Sequence, residues 1–364
     1  MKIWFELPRP GVEPIVNRTC PACGHPKVHV HEQHRFRPIV DLRLDSIHQV
    51  RVKCPRCGKT ATCRPGGITP GRHRSDAVVA FGILLYTLGL SCRGAAAAIR
   101  ALAGSGSRSE VHRDVVRAGE RARRMHERRA GKAVRVLGLD GTGQRMKGGS
   151  RGVAVAVDAE EQVLLGVELV EEEKPGQVRR FVRDLCRRYH VKAILTDEHD
   201  TYKKVLASPA LGVDHRLCET HWKKSKQLRI THLLAKARER GWRRYERDLE
   251  TLRRLIREDP PDAVDRIQQI HERYLDHLSP GPGGEWSLGY HMRMLTLHLI
   301  ETWMRVGAAS QRTNNTVERM IGILLKNRSK TMRGFGKAEN IIRFVHLAAY
   351  VWENRKTCEL RAVS

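Results

Sequence analysis

The sequence predicts an α/β protein whose mixed sheet is interrupted by a helical insertion and preceded by two small amino-terminal modules. Three observations predict it. From residue 134 the apolar pattern takes the period of strands, in the order strand, strand, strand, helix, strand, helix, strand. Two Cys-x-x-Cys pairs stand at 20–23 and 54–57, and a charged, helix-patterned stretch over 222–306 separates the strand-rich run from two final helices. At 364 residues the chain has room for two or three domains of about 100–200 residues each.

Charge narrows the partner. Sixty-seven Lys and Arg stand against 40 Asp and Glu, a formal net charge of +27 with a pI near 10.3. Such a surface suits a polyanion, and neutralising the phosphates of double-stranded DNA releases counterions that drive binding. An anionic membrane is the rival partner. Nowhere, however, does an apolar run approach the ~20 residues of a membrane span, and MKIWFELPRPG has no signal-like apolar stretch. The expected setting is cytoplasmic and nucleoid-associated, with no membrane partner.

The elements follow in chain order. Residues 1–65 hold Cys20-Pro-Ala-Cys23 and Cys54-Pro-Arg-Cys57, each followed by Gly, and between them VHVHEQHRF and SIHQVRVK alternate like strands. Each Pro and Gly turns the backbone so that two thiolates face one ion, and four thiolates satisfy tetrahedral zinc. A zinc ribbon with structural Zn²⁺ on Cys20, Cys23, Cys54 and Cys57 is the expectation, with Cys63, His25, His29, His31 and His34 as possible substitutes. Nine cysteines in a reducing compartment do not make a disulfide framework.

RPGGITPGRHRS, 64–75, reads as a linker. Over 75–130 three helices are expected: one from Asp76 broken by Gly89, one capped by Ser91, and one from about 110 to 129 capped by Ser107 or Ser109. They match a helix-turn-helix whose last helix would enter the major groove with Arg108, Ser109, His112, Arg113 and Arg117, the alternative being a plain helical bundle with a solvated basic face. The stretch 117–135 then carries eight basic residues against two acids, as a phosphate-tracking linker or a solvated helix face.

VRVLGLD, GVAVAVD and QVLLGVELVE predict an antiparallel meander with turns at 141–151 and 158–162. A helix from Pro175 to about Tyr189, the strand KAILTD, a short helix near 200–207 and the strand DHRLCE complete the order of a ribonuclease H-like core over 131–221 and 307–356. Within the insertion, 222–306, Trp222, Trp242, Trp286 and Trp303 either fill a helical core or stack on an unpaired base. The closing helices, near 313–328 and 338–354, are joined by SKTMRGFGK, whose Lys330 and Arg333 are candidate strand contacts.

In such a sheet the first and fourth strands are neighbours, so Asp140 of LGLD and Asp197 of ILTD meet at one edge. Two like charges this close repel unless a cation lies between them, and hard oxygen ligands favour Mg²⁺ or Mn²⁺. A third acid would complete a two-ion site, and the best candidate is Glu318, in the first turns of a helix capped by Thr313 or the Asn314–Asn315 pair. Glu198 and Asp200 crowd Asp197, and Asp158 ends a neighbouring strand; Asp197 fits best because it closes the apolar run.

These residues carry a resemblance. LGLDGT, ILTDEHD, RLCETHW and TNNTVERMIGILLKNRSKTMRGF, behind a zinc ribbon and helix-turn-helix, resemble a bacterial insertion-sequence DDE transposase of the Mutator-like branch. The resemblance implies that Asp140, Asp197 and Glu318 are the metal-binding triad, with Asp140 bridging two ions. It also implies that Cys218 and His221 are the family's Cys-x-x-His pair, too short for a zinc site by itself. The implied activity is recognition of terminal inverted repeats, metal-dependent cleavage and strand transfer by a dimer or larger homo-oligomer. The alternatives are a DNA-binding regulator with a silent core and a structure-specific ribonuclease H-like nuclease. No Gly-x-x-x-x-Gly-Lys phosphate loop points to ATP.

Overall fold

A computed structural model of the chain describes residues 5–16, 18–281, 284–307, 314–331, 335–354 and 358–359. The chain divides into two compact units. One is Met1–Arg129 with Gly143–Arg151 and Ile321–Ser364, and the other is Ala130–Thr142 with Gly152–Met320.

The first unit starts with β1 (Phe5–Glu6) and a three-stranded antiparallel sheet of β2 (His29–Pro38), β3 (Ser46–Lys53) and β4 (Thr60–Cys63), with β3 in the middle. Three helices follow, α1 (Asp76–Thr87), α2 (Cys92–Ala103) and α3 (Arg108–Glu127), each started by a serine. The hydroxyls of Ser75, Ser91 and Ser107 accept from the amides of Val78, Gly94 and Glu110, and Glu110 accepts in return from the Ser107 amide. Each such cap satisfies an amide that the first helical turn leaves unpaired, and is worth about 1 kcal/mol. Val78, Ile83, Ala95, Ile99, Val111 and Ala118 bury the faces these helices share.

The second unit is built on β5 (Ala133–Met146), β6 (Gly149–Asp158), β7 (Val163–Leu169), β8 (His190–Thr196) and β9 (Asp214–Leu217), ordered β7-β6-β5-β8-β9. β6 and β7 are antiparallel, while β5, β8 and β9 run parallel. This is the ribonuclease H-like order. Helices α4 (Pro175–Arg188) and α5 (Asp200–Leu206) supply the crossovers, and Leu137, Leu139, Leu165, Val178, Phe181, Leu185 and Ile194 form the core beside them. The expected turn over 141–151 shrinks to Lys147–Gly148, because the polar residues 141–146 keep pairing beyond the apolar run. Gly148, at φ +94°, supplies the left-handed backbone of that reversal.

Four long helices follow: α6 (Glu219–Glu239), α7 (Arg243–Glu258), α8 (Ala263–Glu272) and α9 (Gly284–Gly307). Their core takes Trp222 and Trp303, edge to face at 5.2 Å, and the Trp222 indole N–H donates to Thr302 Oγ1 at 2.8 Å. Trp242 is partly buried against the same core, so base stacking by these three rings is displaced by packing. Trp286, exposed, instead donates its N–H to the Ser279 carbonyl.

Next comes α10 (Asn315–Ile321), held to the sheet by two residues. Val317 packs where a Cβ on Gly138 would stand, and the Asn314 side-chain amide donates to the Leu139 carbonyl at 3.1 Å. Beyond a π-helical turn, Gly322–Lys326, the helices α11 (Asn327–Thr331) and α12 (Ala338–Glu353) belong to the first unit. Leu347, Tyr350 and Val351 of α12 complete the α1–α3 core. The His126 and His346 rings meet at 2.9 Å between Nδ1 atoms, and Glu353 accepts from Arg129 at 2.7 Å. A last strand, β10 (Cys358–Glu359), pairs in parallel with β1.

The contact at Gly138 gives a stability prediction. Gly138→Ala forces Val317 and Asn314 aside and lowers unfolding free energy by about 1–3 kcal/mol in urea titrations. Adding Val317→Ala recovers part of that loss if the clash is the cause.

Candidate active site

Parallel pairing of β5 with β8 sets Val136 beside Ala193 and Gly138 beside Leu195. Two residues further along each strand are Asp140 and Asp197, so the two carboxylates leave neighbouring strands at the same edge. The Asp140 carboxyl accepts from the Gly141 amide at 2.8 Å, and Asp197 accepts from the His199 amide at 3.2 Å. Burial pushes the Asp140 carboxyl up to about 7, and the charges of Asp197, Glu172 and Glu318 add to the rise that the Gly141 N–H opposes. A buried acid facing three others is a concentration of negative charge that a hard divalent cation would neutralise.

Glu318, on the first turn of α10, reaches the same edge. Its Oε1 lies 3.4 Å from His221 Nδ1, and His221 and Cys218 open α6, Cys218 as the residue before its first turn. The Cys218 amide donates to the Thr196 carbonyl at 2.8 Å, next to Asp197, and its sulfur accepts from the Asn314 amide at 3.2 Å. The Cys-x-x-His pair therefore borders the acidic edge.

Glu172, just past β7, is a fourth carboxylate that sequence reasoning passes over. It lies where a Cβ on Gly141 would be and accepts a short hydrogen bond from the Tyr202 hydroxyl. Burial, then Glu172, push the Tyr202 phenol upward, so it keeps its proton and acts as a donor. Three rival acids separate from this group. Glu198 is bound by Lys226 at 2.6 Å and by His298; although burial alone would raise its pKa, those hydrogen bonds hold its carboxyl down to about 2. Asp200 is exposed in the first turn of α5, and Asp158 accepts the amides of Glu160 and Glu161 in a turn.

The family described as "Transposase, Mutator family" matches residues 45–354, a span that takes in all four carboxylates and the Cys218–His221 pair. The chain belongs to the Mutator family of transposases. None of the curated proteins matches it. Among solved structures, it is similar to the catalytic core domain of BIV integrase, at 11% identity over 55% of this chain and 100% of that one, with a TM-score of 0.21.

This Mutator-family transposase carries a second candidate centre in its first unit. Cys20 and Cys23 pair with Cys57 and Cys54 at Sγ–Sγ distances of 3.7 Å, and all four sulfurs lie within 4.8 Å of one another. Four thiolates about 2.3 Å from one zinc ion stand ~3.8 Å apart, so the cage fits. Both knuckles turn alike: Gly24 and Gly58, at φ +70° and +68°, donate to the carbonyls of Cys20 and Cys54. Amides of Ala22 and Cys23 draw the Cys20 thiol down to about 6. Cys23 rises to about 11 against the His25 amide, through burial and the neighbouring thiols. Cys63 lies buried on β4, outside the cage.

On α3, Arg108, Ser109, His112, Arg113 and Arg117 are all exposed, opposite the buried Val111, Val115 and Ala118. Arg108 and His112 also line a cavity of about 370 Å³ with Tyr86, Arg328 and Phe344. Lys330 is exposed on α11, whereas Arg333 and Thr313 lie outside the described residues. Among the described residues no helix is long and apolar enough to cross a membrane.

Two outcomes follow for this transposase. Cys54→Ser removes one equivalent of zinc per chain by atomic emission and lowers the melting temperature of the first unit. The Asp140 carboxyl ionises near 3.8 when unfolded and near 7 when folded without metal, so the folded state holds the extra proton between those values. Metal-free stability therefore falls as pH rises through that window, by on the order of 4 kcal/mol from this group. In magnesium-free thermal scans Asp140→Asn melts above wild type at pH 8 and level with it near pH 4; equal melting at pH 8 would remove the repulsion.

Proposed function

We propose that this transposase binds the terminal inverted repeats of an insertion sequence, cleaves DNA at their ends with Mg²⁺ or Mn²⁺, and transfers the freed 3′ ends to target DNA. The observation that carries the reading is the β5–β8 register, which brings Asp140 and Asp197 to one edge. Glu318 and Glu172 face the same charge cluster. An all-carboxylate donor set fits hard cations, and Asp140, Asp197 and Glu318 would hold two of them. Bound there, the ions supply charge for activating the attacking oxygen and stabilising the leaving one.

The chain's own groups do the rest. Glu172, fixed by Tyr202 and by the bare backbone of Gly141, keeps a carboxylate trained on Asp140. Lys226 and His298 hold Glu198 out of the site, so only intended ligands compete for metal. Water attacks a phosphodiester and leaves a 3′-hydroxyl; that hydroxyl then attacks a target phosphodiester, exchanging one ester bond for another with no external energy source.

In this reading residues 1–65 form the zinc ribbon and 75–130 the helix-turn-helix, with Arg108, Ser109, His112, Arg113 and Arg117 on the repeat. The catalytic core spans 131–221 and 307–356 around the helical insertion 222–306, and Lys330 and Arg333 contact a strand. The protein works in the cytoplasm on nucleoid DNA as a dimer or larger homo-oligomer, because two ends must be paired.

The test is nicking and joining of DNA from the flanks of its own gene. Wild type is expected to nick and join only with Mg²⁺ or Mn²⁺, and Asp140→Asn to bind the DNA but do neither. Glu172→Gln and Tyr202→Phe are expected to slow nicking by roughly 10–100-fold while shifting its half-saturating magnesium upward. Cleavage without joining identifies a nuclease, and metal-independent binding without cleavage a DNA-binding regulator.

A further inference from the structure

Cys218 Sγ, His221 Nδ1 and one Glu318 oxygen all lie within 4.8 Å of one another. His221 Nδ1 and Glu318 Oε1 face each other at 3.4 Å, and both atoms are buried without a hydrogen-bond partner. Leaving two polar atoms buried and unsatisfied destabilises the fold, and a cation between them would remove that penalty. Cys218 is itself 1% exposed, and its sulfur is oriented by the Asn314 amide. The same Asn314 is tied to Leu139, so α10 and the start of α6 are held together around these donors.

We propose that Cys218, His221 and Glu318 form a three-ligand site for a thiophilic divalent cation, zinc above all, with the fourth position open to water. The donor set decides the ion. A thiolate and an imidazole suit zinc and leave Mg²⁺, which demands oxygen, poorly served. Tetrahedral zinc needs these donors ~3.3–3.7 Å apart, a separation that the His–Glu pair already has, with the sulfur within 4.8 Å of both. The pair Cys218–His221 alone is too short a ligand set; the carboxylate from α10 completes it. Glu318 then belongs to two centres, one hard and one soft. On the magnesium reading above, on which this consequence rests although the binding does not, zinc draws Glu318 away from Asp140 and inhibits cleavage.

The experiment is a zinc count on the full chain after gel filtration from a slight excess of zinc, with cobalt absorption on protein given a single equivalent of zinc to fill the four-cysteine cage as the second readout. Wild type is expected to hold a second equivalent beyond the Cys20–Cys57 cage. Cys218→Ser and His221→Ala each lose that equivalent while keeping the first, and cobalt at the second site gives a thiolate charge-transfer band absent from Cys218→Ser. Only one zinc in wild type, or two in both variants, would overturn the site. His221 is half-exposed, so its variant keeps the test sound should Cys218→Ser unfold. In nicking assays zinc is expected to inhibit wild type several-fold more than Cys218→Ser. Equal inhibition overturns competition for Glu318, whereas no nicking at all with magnesium defeats the cleavage reading and leaves the zinc count standing.

Discussion

Repulsion between carboxylates where the pairing of two adjacent parallel strands ends governs the arrangement around it. Asp140 and Asp197 are forced together by a backbone register that apolar residues on both strands enforce, since slipping β8 by one residue would turn Ala193 and Leu195 to the wrong face. Everything near the edge answers to that charge. Gly141 leaves room for Glu172, Tyr202 supplies a proton that Glu172 can share, and Lys226 with His298 keeps Glu198 elsewhere. A cation bound there would recover the stability lost to an uncompensated acid and couple folding of this edge to the chemistry proposed for it.

The two candidate centres divide the donor chemistry cleanly. Four sulfurs in the amino-terminal cage suit a structural ion with no open position. Oxygen donors at the sheet edge suit ions that keep water and exchange it. Between these extremes lies the mixed Cys218–His221–Glu318 group, whose carboxylate also faces the charge of Asp140.

Much of this was legible in the residues. Two Cys-x-x-Cys knuckles, the acids that close the apolar runs LGLD and ILTD, and the serines before three helices each carry a local signal that packing does not override. Glu172 had none: it is the middle of three consecutive glutamates, and only Gly141 and Tyr202, 31 residues before and 30 after, distinguish it. Nor could adjacency separate Asp197 from Glu198, because the partners that remove Glu198 lie on α6 and α9, one of them 100 residues away. The tryptophans stayed ambiguous for a related reason, since an indole serves a core and a base equally well until its neighbours are known.

The packing of α12 on α1–α3 has a consequence in time. The three-helix module is translated early, yet the residues that finish its core, Leu347 to Val351, and the partners of His126 come more than 200 residues later. At a synthesis rate of about 5–20 residues per second, the exposed apolar flank of α3 waits roughly 10–40 s on the ribosome for its cover. Before α12 is made, the sequence of the second unit, Ala130–Thr142 with Gly152–Met320, has already been synthesised. The residues of the acidic edge, Asp140 to Glu318, are therefore all made before the cover of the three-helix core, and a message broken before codon 341 encodes the first and lacks the second.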